Sequence, residues 1–194
     1  MNLFYFPAAC SLADHIALIE AGLPYKLLSI DRDRKTEDGR DFFAINPKGY
    51  IPSVEMDDGT ILTENQVILA YIAEQSGKLL PDDSILRWRT FEALAFMSSE
   101  IHGAYSPFLK DYPEPEKQRA RDKIKKAFAI LSDQMSDKAF LVSHEMTIAD
   151  CYLFWILMVA PKSGVDLPAN LRDCLSRMKA IPSVIQALAE EGLG

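Results

Sequence analysis

The chain has 194 residues, of which 48% are hydrophobic and 25% charged, and its mean hydropathy is -0.03. This balance is typical of a soluble globular protein and excludes a disordered or fibrous one, and the length allows one large domain or two small ones. The formal net charge of -7, without a long cluster of Lys or Arg, argues against nucleic acid as a partner.

The sequence has no feature that directs the chain out of the cytoplasm. The opening MNLFYFPAA lacks the basic region and the length of a signal peptide. The most apolar stretch, CYLFWILMVA, is too short to cross a bilayer and predicts a buried helix. Cys10, Cys151 and Cys174 are odd in number and widely spaced, which argues against a disulfide framework and a cysteine zinc site. We expect a cytoplasmic protein with reduced thiols, no membrane association and no metal.

The first part of the chain predicts mixed helices and strands. In chain order the patterns predict a strand at 2–6, a helix at 11–21, a parallel strand at 25–30, a short helix around 41–45, a hairpin in IPSVEMDDGTIL and a helix at 64–75. Asp58-Gly59 supplies the hairpin turn, and Thr63 is predicted to cap the last helix. This order is that of a thioredoxin-like α/β domain at residues 1–77.

The rest of the chain predicts helices alone. Residues 78–83, with a proline and two aspartates between periodic segments, predict a linker. Beyond it the helical segments are 84–109, 114–134, 148–160, 171–178 and 184–190. Residues 84–194 are therefore predicted to form an all-α domain.

Two sequences have the spacing of a capping box at a helix start. Thr147 and Asp150 would each accept from the other's backbone N–H, and we interpret Asp150 as structural. Ser11 and Asp14 have the same spacing, directly after Cys10. A thiol at such a helix start, beside backbone N–H groups, can have a pKa well below the free value of about 8.5. Cys10 is accordingly either a reactive thiol or a small hydrophobe packed at the end of a strand.

The residue at position 13 limits what Cys10 can do. A dithiol couple would need a second cysteine there, and the chain has Ala13. A reaction at Cys10 would therefore take its second sulfur from outside the protein, and glutathione is the obvious small thiol of the cytoplasm. Because glutathione carries two carboxylates and an ammonium, its site needs anion-binding groups at both ends and a carboxylate.

Groups of this kind occur in three further segments. Ile51 precedes Pro52 at a predicted strand, and either an edge strand or a cis bond would leave the Ile51 backbone available to a peptide-like ligand. The next helix start presents the N–H groups of Glu64 and Asn65 to an anion, and the Glu64 carboxylate could meet an ammonium. Lys35 could meet the remaining carboxylate. Each also has an ordinary explanation, as a turn proline, a first-turn acid or a solvated lysine.

His102 is predicted to lie off the main apolar face of the first long helix of the second domain. On a helical wheel it falls opposite Met97, on a face of small, hydroxyl and aromatic side chains that includes Ser99 and Tyr105. An imidazole on such a face could polarise a thiol, and the alternative is a surface histidine. His15, within the first helix, has no comparable setting.

Four stretches of the chain carry a family resemblance: FYFPAACSLADHIALIEAG, NPKGYIPSVEMDDGTILTEN, SSEIHGAYSP and TIADCYLF. With them the sequence resembles the bacterial beta-class glutathione transferases along essentially its whole length. The resemblance implies the glutathione transferase fold, with the thioredoxin-like domain first and the all-α domain second. It also implies a homodimeric detoxification enzyme that conjugates the thiol of glutathione to small electrophiles.

The resemblance assigns roles to individual residues. Cys10 would contact the glutathione sulfur, and Lys35 would bind the glycyl carboxylate. Ile51 would pair with the cysteinyl backbone ahead of a cis Pro52. Cys10 and His102 are the implied catalytic residues. The residues implied to bind glutathione are Ala9, Cys10, Lys35, Tyr50, Ile51, Pro52, Glu64, Asn65, Ser99 and His102.

At the other end of the ligand, Glu64 and Asn65 would hold the γ-glutamyl group, and His102 would line the cleft from the second domain. The chain departs from the family pattern at several positions. Asn65 stands where serine is usual, and its amide can serve the same carboxylate. Ala95 replaces an asparagine that reaches glutathione, and Gly103 replaces a lysine after the histidine. These two changes bear on glutathione affinity and on the pocket for the second substrate.

Two other functions fit the same residues. One is a non-enzymatic binding or regulatory protein on this scaffold, which the loss of the asparagine at Ala95 favours. The other is an isomerase that uses glutathione as a cofactor. Within the transferase interpretation, the glutathione sulfur attacks the electrophile in a transfer reaction, whereas Cys10 forms a mixed disulfide with glutathione in a redox reaction. The residue types are compatible with both reactions.

Overall fold

The structure, a computed structural model that describes residues 1–110 and 112–194, begins with a strand, a helix and a second strand. β1 (Asn2–Tyr5) and β2 (Lys26–Ser29) pair in parallel, and α1 (Ser11–Ala21) connects them. The bounds of α1 are those predicted, and Gly22 ends it with a left-handed φ of 72°. The predicted β-α-β opening is therefore confirmed.

The predicted hairpin is also present. β3 (Ser53–Glu55) and β4 (Ile61–Thr63) are antiparallel, and they extend the sheet in the order β2-β1-β3-β4. Because β3 lies inside this sheet, Pro52 does not precede an edge strand. The Ile51-Pro52 bond is cis, which was the other explanation for a proline at this position.

Two helices complete the predicted order of the first part of the chain. They are α2 (Phe42–Ile45) and α3 (Asn65–Ser76). The prediction that Thr63 caps α3 is wrong, because the N-cap is Glu64, with a left-handed φ of 73°. Thr63 is still the last residue of β4, and its hydroxyl accepts from Nζ of Lys48 at 3.0 Å.

A cluster of apolar side chains joins the sheet to the segment after β2. Its buried members are Phe4, Leu28, Ile30 and Phe42. Ile51 is partly buried and packs against the same cluster. Because burial of apolar area is the main favourable term in folding, this packing holds the residue before the cis proline in place.

Helices and turns make up the described part of the chain after α3. In chain order the first five α-helices are α4 (Ser84–Phe96), α5 (Ser106–Leu109), α6 (Glu114–Met135), α7 (Ile148–Val159) and α8 (Ala169–Met178). The capping box predicted at the start of α7 is present. Among the described helices, none is both long and apolar enough to cross a membrane.

The helix predicted at 84–109 is interrupted. A π-helical turn occupies Met97–His102, and a 3-10 turn at Gly103–Tyr105 leads into α5. A π turn inserts a residue into the helix, so the side chains after it are rotated relative to a regular helical wheel. Tyr105, predicted on the face of His102, is for this reason a core residue: it is 1% exposed and donates to the Ile156 carbonyl at 2.8 Å.

The contacts of the chain divide it into two units. Met1–Leu80 and Ile181–Gly194 form the first unit, and Pro81–Ala180 form the second. The last helix, α9 (Pro182–Glu190), packs against α1 within the first unit. The sequence pattern predicted these last residues in the helical domain. The boundaries at 1–77, 78–83 and 84–194 stay a prediction.

Candidate functional site

Cys10 lies where the loop after β1 enters α1. It is the N-cap of α1, and it is 8% exposed. Its Sγ lies 3.6 Å from the carbonyl oxygen of Ile51, and its own carbonyl accepts from Nδ2 of Asn65 at 3.1 Å. Three residues that the sequence analysis selected from separate segments thus meet in the first unit.

The capping box predicted at Ser11 and Asp14 is absent. Because α1 begins at Ser11 with Cys10 as its N-cap, the serine stands one position too late to cap the helix. The Oγ of Ser11 is buried and has no partner among the described residues. The carboxylate of Asp14, which is fully buried, accepts from Nδ2 of Asn65 at 2.8 Å.

The pKa of the Cys10 thiol is raised to about 12, whereas the helix start predicted a lowered value. Burial of the thiol is the largest cause, and the charge of Asp14 adds to it. The backbone N–H groups of Cys10 and Ser11 act in the opposite direction but are outweighed. At neutral pH the side chain is therefore a protonated thiol, which can donate to the Ile51 carbonyl.

Glu64, predicted to meet an ammonium, already faces one within the chain. Its carboxylate lies 2.7 Å from Nζ of Lys48, a residue that the sequence analysis did not select. Both side chains are exposed, and an exposed ion pair contributes about 1 kcal/mol or less, so a charged ligand can replace either partner. The left-handed φ of Glu64 is unusual for a residue with a side chain, and such strain is common at ligand sites.

A cavity of about 370 Å³ in the first unit is lined by apolar residues, two arginines and one aspartate. Its lining residues are Phe6, Ala9, Ile30, Asp31, Arg32, Arg34 and Ile51. Ala9 and Ile51 belong to the predicted site. Lys35 is exposed and is not among the lining residues. Arg32 and Arg34 were not predicted as site residues, because alternating charges in a loop are typical of a solvated segment.

The remaining predicted residues lie near the cis bond and in the π turn. Tyr50 is exposed, and its carbonyl accepts from Asn46 Nδ2 at 2.8 Å and from Ser53 Oγ at 3.1 Å. Pro52 is buried. Ser99 is exposed in the π turn of the second unit. Among the described residues, no group of three or more His, Cys, Asp or Glu side chains could hold a metal ion.

His102 ends the π turn and has partners within the second unit. Its Nδ1 lies 2.6 Å from the hydroxyl of Tyr152, and its ring centroid lies 4.6 Å from that of Trp155. Burial lowers the pKa of His102, so the ring is neutral at pH 7. Tyr152 was not predicted as a site residue, because it lies in an apolar run that predicts only a buried helix. That His102 reaches glutathione stays a prediction.

His15, which the sequence analysis gave no role, is fully buried and joins α1 to the end of the chain. Its Nδ1 faces Glu191 Oε1 at 3.1 Å, and its Nε2 faces Glu190 Oε2 at 2.8 Å and the Tyr25 hydroxyl at 3.3 Å. The other oxygen of Glu191 accepts from the N–H of Ala8 at 3.1 Å, in the loop between β1 and α1. The end of the chain is thereby bonded to the loop that carries the thiol.

Comparison with known proteins indicates one family. The model for the glutathione S-transferase N-terminal domain matches residues 9–75, and the model for the C-terminal domain matches residues 94–182. Glutathione S-transferase GstA of Escherichia coli O157:H7 is 38% identical over 200 residues, which cover 100% of both proteins.

Solved structures give the same result over the full length. The ternary complex of BphK, a bacterial GST, has a TM-score of 0.95 and 34% identity, with 100% of both chains covered. A sphingomonad glutathione S-transferase complexed with glutathione has a TM-score of 0.93 and 36% identity, again with 100% of both chains covered.

Proposed function

Since the chain belongs to the glutathione S-transferase family, we propose that it binds glutathione beside Cys10 and transfers the glutathione sulfur to a small electrophile. The observation that carries this proposal is the meeting of the Cys10 thiol, the Ile51 carbonyl and the Asn65 amide. A thiol donor beside the peptide backbone of Ile51 suits a cysteinyl peptide as the ligand. The cavity lined by Ala9 and Ile51 provides space next to them.

Cys10 contributes to the transfer as a hydrogen-bond donor. In the reaction the glutathione thiol loses a proton, its sulfur bonds to the electrophilic carbon, and the leaving group departs with the electron pair of the broken bond. With a pKa of about 12, Cys10 keeps its own proton at pH 7 and can donate to the thiolate of glutathione. A donor aimed at a developing negative charge stabilises it and lowers the pKa of the group that carries it.

The raised pKa of Cys10 favours transfer over thiol-disulfide exchange. Exchange at Cys10 requires its thiolate, because the thiolate is the nucleophile in such reactions. At pH 7 a thiol with a pKa of about 12 is almost entirely protonated. We therefore assign transfer as the main reaction and the mixed disulfide as the slower one.

The charged ends of glutathione are assigned to groups of the first unit. We assign the glycyl carboxylate to the cavity that Arg32 and Arg34 line, in addition to the neighbouring Lys35. We assign the γ-glutamyl carboxylate to the N–H groups at the start of α3, where a helix favours an anion. The ammonium of the γ-glutamyl group would replace the ammonium of Lys48 beside the Glu64 carboxylate. Because the Lys48–Glu64 ion pair is exposed, one exposed ion pair would replace another.

Exposed apolar side chains support the proposal that the enzyme is a homodimer. Phe43, Tyr50, Ile85 and Trp88 are each more than half exposed, and Tyr50 reaches 74%. Where such side chains form one continuous patch, they mark a protein interface. Sedimentation should give twice the chain mass of 21.8 kDa, and a monomer at micromolar concentration would contradict the dimer.

We further assign the protein to the cytoplasm, where it would detoxify electrophiles. Cys10, Cys151 and Cys174 are all described, and none of them is in a disulfide. Reduced cysteines are typical of proteins in a reducing compartment.

Conjugation of glutathione to an aryl halide, together with retention on immobilised glutathione, tests the function. The wild type should be retained and should turn over, and Cys10→Ala should lower kcat/KM by about 100-fold because it removes a donor to the developing charge. Cys174→Ala, a buried thiol in the second unit, is the matched control and should retain activity. Absence of both retention and turnover would overturn the proposal, and rearrangement of a substrate without consumption of glutathione would support the isomerase alternative instead.

A further inference from the structure

His102 lies in an aromatic cluster of the second unit, together with Tyr152 and Trp155 of α7. The two α7 residues are three positions apart and therefore share a face of the helix. Their rings are nearly parallel, at an interplanar angle of 5°. Tyr152 is fully buried, and its hydroxyl lies 2.6 Å from Nδ1 of His102. The imidazole ring is thus fixed by ring contacts and by one hydrogen bond.

We propose that Tyr152 is a positioning residue that makes His102 a hydrogen-bond donor, through the N–H at Nε2, rather than a base. The inference rests on the proposed function and on the sequence prediction that His102 takes part in it. It specifies which of the two actions of a neutral imidazole, to donate a hydrogen bond or to accept a proton, is available to the transfer reaction.

The direction of the bond between Tyr152 and His102 determines which ring nitrogen carries the proton. A neutral imidazole has one N–H donor and one acceptor nitrogen, so the partner of one nitrogen sets the state of the other. At 2.6 Å the contact is shorter than N–H···O bonds, which measure about 2.7–3.2 Å, and O–H donors form the shorter bonds. A phenol oxygen is also a weaker acceptor than an imidazole nitrogen, because its lone pair is delocalised into the ring. Tyr152 is therefore the donor, and the proton lies on Nε2.

Nε2 is the ring nitrogen of His102 that is left for a ligand. It has no hydrogen-bond partner among the described residues, and the side chain is partly exposed. Because burial lowers the pKa of His102, the ring is neutral at pH 7 and has a single N–H. With that N–H at Nε2, the nitrogen can donate a hydrogen bond and cannot take up a proton.

Both partners of the bond are held by local structure. The π turn that ends at His102 packs against α7, and its inserted residue changes the direction of the side chains relative to a regular helix. Insertions of this kind are frequent at functional sites. On the other side, the capping box at Thr147 and Asp150 fixes the start of α7 just before Tyr152. The hydroxyl is therefore held at a defined position for Nδ1.

In the transfer reaction, an N–H group at Nε2 would act on the electrophile. The electrophile gains negative charge as the glutathione sulfur bonds to its carbon, and a positioned N–H donor stabilises that charge. Without the Tyr152 hydroxyl, the imidazole can change its tautomer and its orientation. The loss should affect the transition state more than the binding of glutathione, whose charged ends we assign to the first unit.

Nitrogen NMR of the protein without glutathione tests the position of the proton directly. The chain has three histidines, and His102→Gln identifies the signals of His102 by their absence. At pH 8 wild type should have a protonated Nε2 and a hydrogen-bonded, unprotonated Nδ1. In Tyr152→Phe both signals should move towards values averaged over the two tautomers. A proton on Nδ1 of His102 in wild type would overturn the inference.

Tyr152→Phe also tests the effect on the reaction with an aryl halide. Removing the hydroxyl should lower kcat by about 3- to 10-fold, as expected for one hydrogen bond, and should change the KM for glutathione by less than about 2-fold. Tyr105→Phe removes a buried hydroxyl that donates to the Ile156 carbonyl, so it is the matched control and should leave kcat within about 2-fold. Thermal unfolding checks that both variants fold. An unchanged kcat in Tyr152→Phe would contradict the positioning role.

A double variant separates positioning from a general loss of structure. If Tyr152 acts through His102, adding Tyr152→Phe to His102→Gln should lower kcat no further. Losses that multiply in the double variant would sink the proposal. Failure of the proposed function would appear separately, as wild type that is not retained on immobilised glutathione, whereas the proton position on His102 is measured without any ligand.

Discussion

Replacing Asp150 by alanine should lower the free energy of unfolding by about 3 kcal/mol or more. Its buried carboxylate accepts from the N–H and the hydroxyl of Thr147, each at 2.9 Å, and from the N–H of Leu141 at 2.8 Å. Alanine leaves three buried donors without an acceptor, and each such donor costs about 1–3 kcal/mol. Urea unfolding of wild type and Asp150→Ala measures the difference.

The difference in unfolding free energy between wild type and Asp150→Ala should depend on pH. Burial raises the pKa of Asp150 from 3.8 to about 6, so the folded protein binds more protons than the unfolded chain between these values. The stability advantage of wild type over Asp150→Ala should therefore shrink as the pH rises from about 4 to about 6. Asp133→Ala, an exposed acid on α6, should change stability by less than about 0.5 kcal/mol at either pH. A loss below about 1 kcal/mol in Asp150→Ala would show that the capping box is not a main support of α7.

Replacing Glu191 by alanine should cost a comparable free energy, about 3 kcal/mol or more. One oxygen of this buried carboxylate lies 3.1 Å from Nδ1 of His15, and the other accepts from the N–H of Ala8. The substitution removes the partner of His15 Nδ1 and an acceptor of the Ala8 N–H, and loss of one partner of a buried pair typically costs about 3–5 kcal/mol. The contact of His15 with Glu190 and the packing of α9 on α1 would remain.

A double-mutant cycle isolates this contact. The losses in Glu191→Ala and His15→Ala should not add, because each variant removes the same pair, and the coupling should reach about 1 kcal/mol or more. Glu20→Ala, exposed on α1, is the control and should be nearly neutral. Additive losses would contradict the pair as a source of stability.

Elements with a local signal could be predicted, and the others could not. Gly22 ends α1 at the predicted residue, and Asp58-Gly59 supplies the turn of the hairpin. The π turn at Met97–His102 has no such signal, because one inserted residue leaves the composition of the helix unchanged. The helical wheel therefore misplaced Tyr105, whose burial depends on the inserted residue.

Part of the candidate site could likewise be predicted from the sequence, and part of it could not. Cys10, Ile51 and Asn65 could be selected because each stands at the start of a helix or strand, and the family resemblance joined them. The ionisation of the thiol could not be predicted, because it depends on burial and on the charge of Asp14 within the folded unit. His15 and Glu191 are 176 residues apart, and nothing local marks them as partners.

The central claim is that glutathione binds directly beside the Cys10 thiol. The measurement that tests it is the alkylation rate of Cys10 against pH, followed by mass spectrometry of its peptide with and without glutathione. Because burial raises the pKa of Cys10 to about 12, the rate should still be rising at pH 9, and glutathione should suppress it at every pH. A rate that levels off near the ordinary thiol pKa of about 8.5, together with no protection by glutathione, would contradict the site.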